Sequence, residues 1–471
     1  MRFRQRRFVP SLPFVLLVIF LGSLLLSGGA SRADALGQAL ARSGAWIVLI
    51  IVALFGARNP DAKSRALQPV AVFLGCIAII AVIQLIPLPP SWWQLLPNRA
   101  LLADAARATG EVQPWRPWSI APSATLNALF SLVVPLATLV MVNRLCDREY
   151  QWLPGLVLCL IAGSMLAGLV QVAGLPLDNP LINDAAGVVS GTFANRNHFA
   201  LFLAIGCIVA PVWAFQFGSD APWRGLAALS LVVLFSLTNL ATGSRAGIVL
   251  AIVGLGGGLF LVRRAILVSL RWHSRWVKIA IFGGIIAVLA SFAVVSIVSN
   301  RALSVDRALA LNLGDDVRSR ALPAIMTMVR EYFPFGAGLG TFDASFRIQE
   351  PMGLLRTTYL NHAHDDWLEL VLDAGLLGLV LLVATIAWWS FATARAWRGG
   401  VGREALRSRL GSAVLLLVAG ASVVDYPART PIIMSIMVIA ATWLSNSRKG
   451  DRASSANLSK TPRSEPQSRA T

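Results

Sequence analysis

The sequence predicts an all-α fold: a polytopic bundle of about 12 transmembrane helices, with one large periplasmic loop between helices 9 and 10. Three observations predict it. Of 471 residues, 56% are hydrophobic and only 14% charged, with a mean hydropathy of +0.67, too few polar groups to cover a soluble globule of that length. Apolar runs of roughly 17–22 residues recur, matching ~30 Å of hydrocarbon at about 1.5 Å per helical residue. Basic residues sit in short segments between these runs, as the orientation signal of inner-membrane proteins requires. A barrel is excluded, because its strands would alternate polar with apolar residues.

The net charge of +18 invites a nucleic-acid reading, which the position of those basic residues excludes. Cys76, Cys146, Cys159 and Cys207 are scattered, without CxxC spacing, and read as small buried residues.

In chain order, Arg2, Arg4, Arg6 and Arg7 precede the run Leu12–Leu26 and set the N-terminus in the cytoplasm. A signal peptide would share these features; a retained first helix is preferred. Gly44–Ala57 returns inward to Arg58, Lys63 and Arg65, and Val70–Leu88 goes out. The following Pro- and Trp-rich segment, Pro89–Ser123, suits the headgroup level. Leu126–Val142, Leu153–Leu175, Phe199–Phe217, Leu226–Ala241 and Ile248–Val262 alternate across the membrane. The last of these ends at Arg263, Arg264, Arg271, Arg275 and Lys278, the strongest cytoplasmic signal. Ile279–Val298 leads to the outer loop, Ser299–Asp366, and Trp367–Phe391, Leu410–Val424 and Ile432–Leu444 complete the set. The domain plan is a membrane bundle over 1–298, the loop over 299–366, the last helices over 367–447 and a disordered cytoplasmic tail over 448–471. No internal or inverted repeat is present.

Unusual polar groups collect at the outer ends of these helices. Asn195, Arg196, Asn197 and His198 open the sixth, and Arg245 sits in the hairpin before the eighth. Arg318 and Arg320 lie in the large loop, His362, His364, Asp365 and Asp366 open the tenth helix, and Asp425 and Arg429 occupy the last outer turn. Outer arginines run against the positive-inside bias, and a shared diphosphate would account for them, since guanidinium forks match phosphate. The alternative is that each pairs with a carboxylate such as Asp184, Asp315, Asp316 or Asp425. Asp366, Glu369 and Asp373 share one helix face at i, i+3 and i+7, and are expected to orient the arginines or a histidine. His362-Ala-His364-Asp365-Asp366 does not match a dedicated zinc spacing, so no metal is assigned. His364 has the chemistry to take a proton from a hydroxyl at neutral pH. Gly336-x-Gly338-x-Gly340 lacks the strand and Gly-Lys-Ser/Thr ending of a nucleotide loop and reads as a tight turn.

The chain resembles the O-antigen ligase and polymerase family of bacterial envelope glycosyltransferases. The resemblance rests on G-T-F-A-N-R-N-H-F-A (191–200), T-G-S-R-A-G (242–247), and P-F-G-A-G-L-G-T-F followed by H-D-D-W-L-E-L-V-L-D-A-G-L-L-G within 318–378. It implies transfer of a glycan from undecaprenyl diphosphate to an acceptor hydroxyl of lipid A-core or a polysaccharide, at the periplasmic face of the inner membrane, without metal or cofactor. It also implies that His364 acts as base, while Arg245 and one of Arg318 or Arg320 hold the diphosphate. The family's His-Asn is here His364-Asp365, and its Trp is replaced at Leu322-Pro323, so the register favours Arg320 without fixing it. Arg196 is a third candidate, and His362, Asp365, Glu369, Asp373 and Arg429 are expected around the substrate. An O-antigen or exopolysaccharide polymerase would use the same donor. A lipid-linked sugar transporter would need charges near the bilayer midplane, where this chain has few.

Overall fold

The computed structural model describes residues 9–56, 67–175, 188–217, 222–271, 317–355, 360–400 and 402–446, with scattered positions within 177–182 and 274–294. Most of the predicted ninth span, the first part of the outer loop and the tail from 447 lie outside the described residues. The described chain is helical almost throughout: α1 (Leu12–Ser27), α2 (Leu36–Phe55), α3 (Gln68–Leu85), α4 (Pro90–Trp93), α5 (Ala100–Ala108), α6 (Pro122–Ser131), α7 (Val133–Arg144), α8 (Asp147–Tyr150), α9 (Leu153–Val172), α10 (Arg196–Phe215), α11 (Pro222–Ala241) and α12 (Arg245–Leu270). Then come α13 (Val317–Tyr332), α14 (Phe342–Gln349), α15 (Asp366–Arg398), α16 (Arg403–Ala421) and α17 (Pro431–Ser445). The sheet is a two-residue antiparallel ladder, β1 (Pro87–Leu88) on β2 (Arg116–Pro117), which closes the neck of the Trp-rich segment. Among the described residues, eight helices, counting α6–α7 as one, are long and apolar enough to cross a membrane, and α1 and α17 are shorter apolar helices. The protein is a multi-pass, all-α membrane protein.

Two boundaries differ from the sequence expectation for one physical reason. Hydropathy ends the second span at Gly44, yet α2 starts at Leu36. Two of its polar residues are bonded inside the protein: Gln38 donates to the Ala30 carbonyl at 2.5 Å, and Arg42 to Asn127 Oδ1 at 2.6 Å. Likewise α16 starts at Arg403 rather than Leu410, with Arg409 donating to the Ala396 and Gly399 carbonyls at the end of α15.

The bundle is organised on α10, whose apolar window is 89% buried against 22–50% for the other long spans. Lipid offers apolar surface as good as protein, so close packing must hold such a helix. Gly254 and Gly258, one turn apart on α12, supply it: a Cβ there would come within 2.5 Å of the Ala204 carbonyl oxygen and 2.6 Å of the Cys207 one. The two backbones therefore touch, fixing the start of α12 beside the start of α10.

The described residues of the segment expected as the outer loop are not irregular. α13 and α14 pack through Ile325, Met328, Tyr332, Phe342 and Phe346 into a small core that also takes in Ala363 and Leu372. Its glycine turn engages a break in α15. Gly375 has φ 57° and ψ −134°, which opens the helical ladder. The turn fills the gap: Ala337 N–H donates to the Leu372 carbonyl (2.9 Å), Gly338 N–H to Asp373 (2.9 Å), and Leu376 N–H to Pro334 (2.7 Å). Gln84, 1% exposed, joins the same point from α3, donating to the Asp373 carbonyl and accepting from Leu339 N–H. Backbone freed at membrane depth must find protein partners, and here it does.

Candidate functional site

Four segments meet at one end of the bundle: the starts of α10 and α12, residues 360–366 leading into α15, and the turn 422–430 between α16 and α17. Each is positioned by a cap or carboxylate that its own sequence supplies. Asn195 caps α10, its Oδ1 taking the Asn197 N–H at 2.8 Å while its Nδ2 donates to Asp425 at 3.2 Å. Ser244 caps α12 by accepting from Gly247 N–H (2.9 Å), and its hydroxyl donates to Asn197 Oδ1 (2.7 Å). Asn197 in turn donates to Asp425 Oδ2 at 2.6 Å. Asp365 caps α15 through the amides of Trp367 and Leu368. Burial raises the proton affinity of Asp365 despite those two donors.

Asp425 is the focus. It is 2% exposed and faces Nδ1 of His364 at 3.2 Å and Nε2 of His198 at 3.5 Å. Burial alone would raise its proton affinity; the hydrogen bonds from His198 and His364 outweigh it and hold the carboxyl well below the usual carboxylate range. An ionised carboxylate can only accept, so His364 Nδ1 carries the hydrogen, and its Nε2 presents a lone pair. His364 is one of two non-glycine residues with positive φ among the described residues, at 55°. Such a conformation costs on the order of 1 kcal/mol or more and is retained where surroundings dictate it. Tyr426 packs against His198, His362 and His364, with ring centroids 5.0, 4.4 and 4.8 Å away. A small recess beside Asp425 is lined also by Asn197, Ala246 and Pro427.

The carboxylate face of α15 converges as expected, on Arg429 and His362. Arg429 meets Asp366 at 3.2 Å, Glu369 at 3.1 Å and Asp373 at 3.7 Å. Burial would ease loss of its proton, but these carboxylates raise its affinity further still. His362 Nδ1 meets Glu369 Oε1 at 2.9 Å, and Gly340 N–H donates to Asp373 Oδ2. Asp366 also accepts from Ser422 and the Ala428 amide. Asp365, Glu369, Asp373 and Arg429, expected around the substrate, are engaged with partners of the protein itself. Asp365 is a helix cap, Glu369 and Asp373 are fully buried, and Arg429, 22% exposed, is paired with three acids of α15.

The predicted arginines fall differently. Arg196 and Arg245 are the exposed first residues of α10 and α12, and an Arg196 Nη1 lies 3.7 Å from where a Cβ on Gly243 would be, over the Arg245 hairpin. Two guanidiniums thus stand at adjacent helix N-termini, where backbone amides also favour anions. Arg320 is exposed at the start of α13 and donates to the Gly353 carbonyl at 2.7 Å. The Arg318 side chain lies outside the described residues. Sequence reading treated Asp425 as a possible arginine partner and gave His198 no role. The only signals were a lone aspartate in the last outer turn and the polar run N-R-N-H.

Fold and site together define a polytopic helical membrane protein whose polar chemistry is gathered at one end of its bundle. Residues 229–383, from α11 past the break in α15, match the family described as O-Antigen ligase. That match covers about a third of the chain and supports an O-antigen ligase or polymerase assignment, with glycosyl transfer of that general type. No curated protein matches the chain.

Proposed function

We propose that the protein is a glycosyltransferase of the O-antigen ligase type. It moves a glycan from undecaprenyl diphosphate to an acceptor hydroxyl of lipid A-core or a related acceptor, at the periplasmic face of the bacterial inner membrane. The chain crosses the membrane about twelve times with both ends cytoplasmic, as its basic segments imply. The observation that carries this reading is the Asp425–His364 pair, which leaves His364 Nε2 as a proton acceptor beside two exposed, helix-opening arginines.

In the reaction, His364 Nε2 takes the acceptor's hydroxyl proton as that oxygen attacks the anomeric carbon. The bond to the diphosphate oxygen breaks, and the lipid diphosphate departs with the electron pair. Asp425 holds the imidazole's tautomer and stabilises the imidazolium that forms. Arg245 and Arg320, with Arg196 and Arg318 alongside, take up the charge growing on the diphosphate. The leaving group is already a stable anion, so the scheme uses no metal or cofactor. The polyprenyl chain stays in the bilayer while its head reaches the arginines, which places the site at a membrane edge.

The test is a knockout strain complemented by wild type, His364→Ala or Arg245→Ala, read by lipopolysaccharide gel with membrane protein levels matched. Both variants should lose polymer transfer. Full-length decorated lipid A in the His364→Ala strain sinks the mechanism. In the knockout itself, loss of the whole ladder with rough core retained indicates a ligase, and a core-plus-one-unit band indicates the polymerase alternative.

A further inference from the structure

Asp425 is shared between two imidazoles from separate elements. One is His364; the other is His198 on α10, 1% exposed, at the wall of the small recess beside Asp425. The second nitrogen of His198, Nδ1, lies 3.1 Å from the Thr430 hydroxyl, and its ring stands edge-on to Tyr426. Asn195 Nδ2 lies 3.5 Å from Nε2 but 3.2 Å from both Asp425 oxygens, to which it donates; this leaves Nε2 to carry a hydrogen toward Asp425 Oδ1 at 3.5 Å, and Nδ1 to accept from Thr430 Oγ1. The geometry accounts for both nitrogens of a buried ring that the transfer scheme does not use.

We propose that His198 is a positioning residue that sets the basicity of His364 through the carboxylate they share. This rests on His364 being the base. A lone aspartate bonded to an imidazole stabilises the imidazolium and raises its pKa. Every further donor to that aspartate withdraws part of its charge from His364. Asn195, Asn197 and the Tyr426 amide donate to it at 2.6–3.2 Å, His198 Nε2 stands 3.5 Å from its Oδ1, and the pull of Asp425 is divided among them. The other charged or titratable groups around the turn are Tyr426, His362 held by Glu369, Arg429 held by the α15 carboxylates, and Arg196 and Arg245 at the helix starts.

The experiment measures kcat/KM for transfer from a polyprenyl-diphosphate-linked glycan, with the full-length protein in lipid nanodiscs, from about pH 5 to 9. Activity should rise with pH through the base's pKa. In His198→Leu that acid limb should move up by about half to one pH unit, a three- to tenfold loss on the limb, with the alkaline plateau kept within about threefold. His198→Gln, whose amide N–H replaces the Nε2 donor, should restore the wild-type limb. An unmoved limb with a lowered plateau in His198→Leu overturns the inference, because a merely structural ring would behave so. If His198→Leu does not assemble, Thr430→Val, which removes the bond orienting the ring, should give a smaller upward shift, and an unmoved limb there overturns the inference equally. His364→Ala is run beside them. Retained transfer in that variant overturns the base assignment itself, whatever the His198 variants show.

Discussion

At the scale of single residues, Asp425 is where a small change should have the largest effect. Asp425→Asn keeps the shape and removes the charge that orients His364 and supports its imidazolium, so transfer should fall by at least about 100-fold with the protein still in the membrane. Residual activity should show an acid limb at lower pH than wild type, the opposite direction from His198→Leu. The same carboxyl has a consequence for stability. Its folded-state pKa lies well below the usual carboxylate range, so its contribution is present above the unfolded value and lost as pH falls through the folded one. Thermal unfolding in detergent should therefore show the advantage of wild type over Asp425→Asn held from pH 7 down to about pH 4. His364 was legible in the sequence because histidine and aspartate are rare in this chain and adjacent there. Its partner was not, because Asp425 lies 61 positions away and only the fold brings the two together.

At the scale of elements, the junction of the glycine turn with α15 decides whether the outer loop is placed at all. A Cβ on Gly375 would stand 2.1 Å from the Pro334 carbonyl oxygen, on backbone that side chains rarely adopt. Gly375→Ala should cost at least about 2 kcal/mol, seen as a lowered melting temperature or loss of monodisperse protein in detergent. Gln84→Leu leaves the Leu339 amide without its acceptor and should cost about 1–3 kcal/mol in the same assay. Hydropathy made most spans legible, since each is a long apolar run. It clipped α2 and α16, where Gln38, Arg42 and Arg409 are bonded inside the protein. It could not show the break in α15 either. D-A-G-L-L-G is an ordinary helical pattern until a loop from another part of the chain engages it.

At the scale of the whole molecule, the reading requires one orientation in the membrane. With the native cysteines replaced, an impermeant thiol reagent should label Met352→Cys and Gly243→Cys on intact spheroplasts. Gly402→Cys should be labelled only after permeabilisation, and labelling of all three from outside would refute the topology. The family match stops at residue 383, so it includes Arg245, Arg320 and His364 but neither His198 nor Asp425. The site is thus assembled from a segment with family likeness and two helix ends outside it. For anyone building chimaeras between relatives, the plugged break in α15 sets the rule of exchange. Residues 334–340 and 372–376 are the two halves of one lock and must be transplanted as a matched pair. Arg347, Ile348 and Met352 in the stretch between them, by contrast, are exposed and stand outside both the lock and the small core, so they can be traded freely.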